Sequence, residues 1–99
     1  MQSSYPEIFE RDMACTEAEW LTWLPRAVGE HPMQCSASQA LVEIDGGCLK
    51  LTWEKLPDRT IALMRLPRLG VRFEFERLNA SSRLLFMKHF DLFTQRGGG

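Results

Sequence analysis

The chain has 99 residues, 44% hydrophobic and 25% charged, with a net charge of -1, which describes one globular domain able to bury a single core. This charge excludes a general attraction to nucleic acid or acidic lipid, and no apolar run approaches the ~20 residues that a membrane-spanning helix needs. The charge is uneven: residues 1–49 hold 2 bases and 8 acids, and residues 50–99 hold 10 bases and 5 acids, as expected of halves that complement each other within the fold or across a dimer.

The first 15 residues show no clear period and are read as an N-terminal arm, in which Tyr5, Ile8 and Phe9 anchor it or form a short strand. They lack the basic start and apolar block of a secretory signal. Cys15, Cys35 and Cys48 are odd in number and form no C-x-x-C pair, which points to a reducing compartment, hence the cytoplasm.

A helix begins at Thr16, whose pairing with Glu19 is a capping box. Trp20, Leu21, Trp23, Leu24, Ala27 and Val28 share one face, opposite Glu19, Thr22 and Arg26. Pro25 cannot donate a backbone hydrogen bond, so a kink or break is expected there, with Gly29 as the stop. The tryptophans read as core rather than as an aromatic ligand box.

Residues 30–39 read as a loop, followed by a hairpin of residues 40–45 and 48–54 around Gly46-Gly47. That turn sets Ile44, Val42 and Ala40 opposite Leu49, Leu51 and Trp53 on the inner face, and Glu43 opposite Lys50 on the outer face. Residues 55–59 read as a turn cornered at Pro57-Asp58. A third strand spans about 60–66, with Pro67 marking its end or an edge bulge. The fourth spans about 69–77, with Leu69, Val71, Phe73 and Phe75 alternating against Arg68, Gly70, Arg72, Glu74 and Glu76. Depending on the length of the connecting turn, either Ile61 and Leu63 or Ala62, Met64 and Leu66 point outward.

The last helix is capped by Asn79 or Ser81. Its apolar arc is Leu85, Phe86, His89, Phe90, Leu92 and Phe93, while Leu84 and Met87 fall off the pattern on the polar side. The expected fold is therefore an α+β two-layer sandwich: an N-terminal helix, a four-stranded antiparallel meander and a C-terminal helix, with both helices on one side. The domain covers 16–96, and 97–99 form a flexible glycine tail.

Several chemistries are weighed against this frame. His31, Cys35, Cys15 and Cys48 are zinc-ligand types, but their spacing matches no zinc knuckle, so neither a metal nor another cofactor is expected. A Cys35 nucleophile with His31 as base and Glu30 beside them is an alternative, although working triads are assembled from distant segments. His89 reads as a core histidine. Phosphate binding lacks a glycine-rich loop between strand and helix. Arg59, Arg65, Arg68 and Arg72 form a run without acids, but Glu74 and Glu76 share that sheet face and the aromatics point inward, which disfavours nucleic acid.

The ending Arg96-Gly97-Gly98-Gly99 resembles the tails of ubiquitin-like modifiers and sulfur carriers, whose reactive carboxylate threads into an enzyme channel. The resemblance is confined to the tail, since their fold starts with a hairpin. It implies at most a carrier role through Gly99.

The reading that accounts for most features is a cytoplasmic, non-catalytic protein-binding or adaptor domain that forms a homodimer. Its surface is the outer sheet face around Leu41, Ile61, Leu63 and Met64, bordered by Arg65, Arg68 and Arg72.

Overall fold

A computed structural model describes residues 4–94. Two helices cover one face of a five-stranded antiparallel sheet, an α+β architecture with one strand more than the four-stranded meander foresees and with a strand ahead of the first helix. In chain order the elements are β1 (Ile8–Met13), α1 (Glu17–Val28), β2 (Met33–Ser36), β3 (Gln39–Ile44), β4 (Gly47–Ile61), β5 (Met64–Glu76) and α2 (Ala80–Thr94). The sheet order is β1-β5-β4-β3-β2. No helix among the described residues is long and apolar enough to cross a membrane.

The expected N-terminal arm is an edge strand instead. β1 pairs with β5 from Ile8↔Glu74 to Met13↔Leu69. Its inward residues are Phe9, Arg11 and Met13, and the arginine breaks the apolar alternation that would mark a strand. Arg11 is accommodated because Asp91 on α2 accepts two hydrogen bonds from its guanidinium, at 2.7 and 3.2 Å. The same guanidinium lies 5.3 Å from the Phe73 ring centroid. Tyr5 donates its hydroxyl proton to Asp91, and burial followed by that hydrogen bond holds the phenol above its usual pKa.

α1 follows the sequence closely. Thr16 accepts the Glu19 N–H, the Glu19 carboxylate accepts the Thr16 N–H, and Trp20, Leu24, Ala27 and Val28 are buried. The helix runs unbroken through Pro25, because the first turn it disrupts lies on an exposed face and Gly29 N–H still reaches the Pro25 carbonyl at 3.1 Å. The expected loop 30–39 contains the short edge strand β2, hydrogen-bonded to β3 by the pairs Met33↔Val42 and Cys35↔Ala40.

The β3–β4 hairpin turns at Asp45-Gly46, with φ of 43° and 84°, not at Gly46-Gly47. Gly47 lies instead in β4, where an added Cβ would come within 2.4 Å of the Glu76 carbonyl oxygen. The register therefore slides by two residues: Val42 faces Leu49, Glu43 faces Cys48 and Lys50 faces Leu41. A slide of two leaves every side chain on its expected face but removes the expected Glu43–Lys50 pair.

The largest departure lies downstream. The expected turn at 55–59 does not exist, and β4 continues through it to Ile61. Leu56 pairs with Arg68 and Arg59 with Leu66, three steps along β4 against two along β5, so one extra residue is accommodated as a bulge at Pro57-Asp58. The chain reverses at Ala62-Leu63, where Ala62 takes φ 55°, and Pro67 lies inside β5 rather than at a strand end.

The core is one layer between helices and sheet. Trp20 packs edge-on against Trp53 at 5.5 Å, and Phe90 against Phe73 at 5.5 Å, so α1 and α2 lie on the same side. Asn79 caps α2 by accepting the Ser82 N–H at 2.9 Å. The buried face of α2 is rotated from the expected arc: Phe86, Met87 and Phe90 are buried and Leu84 is partly so, while Leu85 and Leu92 are 72% and 70% exposed. Met87 and Leu84 thus serve the core and offer nothing to a partner. The glycine tail and its carrier reading lie outside the described residues.

Candidate functional site

β3 leaves β4 after Gln39↔Thr52, and β1 leaves β5 after Met13↔Leu69. The remainder of the β4–β5 hairpin, residues 54–68, projects as a two-stranded arm. From Leu69 to Met64 it extends about 17 Å at the usual rise per residue.

Along this hairpin the apolar face changes sides. In the body Leu69, Val71, Phe73 and Phe75 point at the helices and are buried, and Arg68, Gly70, Arg72 and Glu74 occupy the open face. In the arm the open-face positions of β5 are Leu66 and Met64. The bulge shifts the parity of β4, so that Ile61, paired with Met64, joins the same face. Leu56 precedes the bulge on that face too, whereas Lys55, Thr60 and Arg65 occupy the reverse side. The arm therefore carries a small apolar surface on the side of the sheet that no helix covers. Ile61 is 53%, Met64 62% and Leu63, at the turn, 100% exposed.

A concavity of about 470 Å³ lies on the open face at the base of this arm. Its floor is Gly70, flanked in register by Asp12 and Glu54, and its walls include Glu10, Thr52, Leu56, Arg68 and Arg72. Gly70 lets the Leu56 side chain lie over the strand at the edge of the hollow, since a Cβ there would meet it at 3.3 Å.

The charges around the hollow are mostly spent on one another. Arg68 donates to Asp12 at 2.6 Å, and Arg59 lies 3.8 Å from the same carboxylate. These arginines hold the Asp12 carboxyl below its usual pKa, the Arg68 hydrogen bond contributing most. Arg72 spans Glu10 at 3.0 Å and Glu74 at 3.2 Å, which raises its own pKa. Glu54 and Arg65 have no ion-pair partner among the described residues.

The seven residues singled out from the sequence fall in four places. Ile61, Leu63 and Met64 form the arm tip, and Arg68 and Arg72 line the hollow at its base. Arg65 points to the arm's reverse side. Leu41 faces Lys50, eleven positions along β4 from Ile61 and so about 35 Å away; the structure does not bring it to the others. Leu56, Leu66, Gly70, Glu54 and Asp12 belong to the surface but were not singled out. Gly70 inside an alternating strand was the available signal, because a lone strand glycine marks a bulge or a close approach.

The other candidate chemistries are dispersed. Cys35 is exposed on β2, and His31 turns away to lie 5.5 Å from the Phe86 ring, bordering a cavity of about 130 Å³ with His89, Asp45 and Ser82. The His89 Nε2 is 3.0 Å from the Arg26 carbonyl oxygen, which closes the C-terminal end of α1 onto α2. No cluster of three His, Cys, Asp or Glu side chains able to hold a metal occurs among the described residues. Arg59, Arg68 and Arg72 are ion-paired and Arg65 lies on the reverse side of the arm, so the four arginines do not line one track.

In comparisons with known proteins the chain matches no family model, no curated protein and no solved structure.

Proposed function

We propose that this chain is a non-catalytic protein-docking domain that self-associates, with the β4–β5 arm as its contact element. The observation that carries the reading is the inversion of the apolar face. Ile61 and Met64, with the half-buried Leu56 and Leu66, lie on the side of the sheet opposite the helix-covered core, and Ile61 and Met64 are mostly exposed there. A two-stranded ribbon is marginal in water by itself, and an apolar row that serves no internal core gains stability only from another molecule. The neighbouring charges suit binding rather than reaction: Asp12, Arg68, Arg72 and Glu10 are fixed in ion pairs, and no cysteine lines the hollow beside them.

Sedimentation across a concentration range tests this. The native chain is expected to shift from monomer to dimer, and the double variant Leu63→Ser, Met64→Ser to remain monomeric with an unchanged circular dichroism spectrum. A native chain that is monomeric throughout, or a dimer indifferent to those substitutions, would overturn the reading.

A further inference from the structure

We infer that the arm is hinged on the body at the Pro57-Asp58 bulge, and that the Asp12 carboxylate is the latch that holds the hinge closed. This device concerns how the arm is held, whatever it docks on. The ladder between β4 and β5 is continuous from Cys48↔Glu76 to Leu56↔Arg68 and resumes only at Arg59↔Leu66. Pro57, Asp58 and Pro67 lie in that gap and make no pair, and both prolines lack an amide hydrogen. No other strand bridges the gap, because β1 ends at Met13 opposite Leu69 and β3 begins at Gln39 opposite Thr52. A swing of the ribbon costs least at such a break, where few residues need change φ and ψ.

One side chain spans the break. Asp12, on the open face of β1, accepts the Arg68 Nη2–H at 2.6 Å and its Nε–H at 3.0 Å, and Arg68 belongs to the last pair on the body side. Arg59, in the first pair on the arm side, lies 3.8 Å from the same carboxylate. Arg68 also donates from Nη1 to the Pro57 carbonyl at 3.3 Å, which ties the bulge itself to the cluster. Among the described residues, Arg59 with Asp12 is the one ion pair that residues 58–66 make with the body. A lone exposed ion pair holds little. Here one carboxylate receives a forked guanidinium from one side of the break and a second cation from the other, so a swing of the arm must part Arg59 from Asp12 and pull the bulge off Arg68. The Leu56 side chain over Gly70 lies wholly on the body side of the break and leaves the restraint to these charges.

Electron–electron distance measurements between nitroxide labels on Leu63→Cys and Lys50→Cys read the hinge directly. They use the full chain with Cys35→Ser and Cys48→Ser, diluted into excess unlabelled chain so that only distances within one chain count. Both labelled positions are exposed, and Cys15 is buried and stays unlabelled. The native latch is expected to give one narrow distribution centred at about 40 Å. Asp12→Asn should broaden it about twofold, Arg68→Gln as much, and Arg59→Gln to an intermediate width. Glu76→Gln, which breaks an ion pair within the body at Arg77, should leave it unchanged. Near-UV circular dichroism checks that each variant keeps its core, and Arg68→Gln carries the test should Asp12→Asn fail to fold. A native distribution already broad, equal widths in the native chain and the Asp12 and Arg68 variants, or the same broadening from Glu76→Gln would overturn the latch. Self-association is read separately, by sedimentation, so the two proposals fail independently.

Discussion

β4 and β5 are each one continuous strand, yet their two ends live in different environments. At the body end the inward row from Leu69 to Phe75 is sealed by helices on one side, and β1 and β3 flank the pair, so every layer is filled. At the arm end no strand flanks the pair and no helix covers it among the described residues, and the apolar row sits on the other face. The comparison teaches that alternation alone specifies a two-sided strand, not which side meets the core. The side is set by what covers it, and one added residue in β4 is enough to change it.

The sharpest way to break the contrast is to delete a side chain at each end. Phe73→Ala removes a fully buried ring stacked on Phe9 at 4.5 Å and should cost about 3–5 kcal/mol by urea denaturation. A loss under about 1 kcal/mol would mean that the body is packed no better than the arm.

Asp91→Ala tests the polar clasp that holds β1 to the body. It strands the Arg11 guanidinium, whose side chain is only 18% exposed, against aromatic rings and frees Tyr5. About 2 kcal/mol is expected, less than for a fully buried pair because solvent reaches the site.

At the arm, Leu63→Ser with Met64→Ser should change monomer stability by under about 0.5 kcal/mol, since these side chains are already in water. Any penalty is expected in the proposed association, read by sedimentation.

The gentlest probe leaves the sequence intact. Burial, aided by the Glu19 carboxylate, pushes the Cys15 thiol up to about 11, so at pH 8 it stays protonated and sheltered. Cys35, exposed on β2, should label with a maleimide reagent at the rate of a free thiol, while Cys15 labels only on unfolding. A Cys35 reacting much faster than a free thiol would restore the nucleophile reading that its separation from His31 disfavours.

Much of the body was legible in the sequence. The Thr16/Glu19 box, the faces of β3, β4 and β5, and the two helices on one side follow from period and capping chemistry. What was not legible has specific causes. β1 was hidden by Arg11, a charged residue at an inward position that only its distant partner Asp91 makes sense of. The hairpin register was misplaced because Asp45-Gly46 and Gly46-Gly47 are both good turns, and the choice is made by β5, whose Glu76 carbonyl closes in on Gly47. Pro57-Asp58 has the chemistry of a corner, and nothing local says that it is absorbed as a bulge. The bulge also decides the candidate surface: with β4 parity shifted, Ile61 and Met64 share the open face, and Leu41 lies far along the sheet from them.

The prolines of the arm have a consequence for behaviour at high concentration. Ribbons left open at their flanks convert into fibrils when another chain zips alongside, amide to carbonyl, and each addition offers a fresh flank to the next. Pro57 in one strand and Pro67 in the other interrupt that growth on both borders, so this protein can expose a greasy hairpin without offering a continuous flank for zipping.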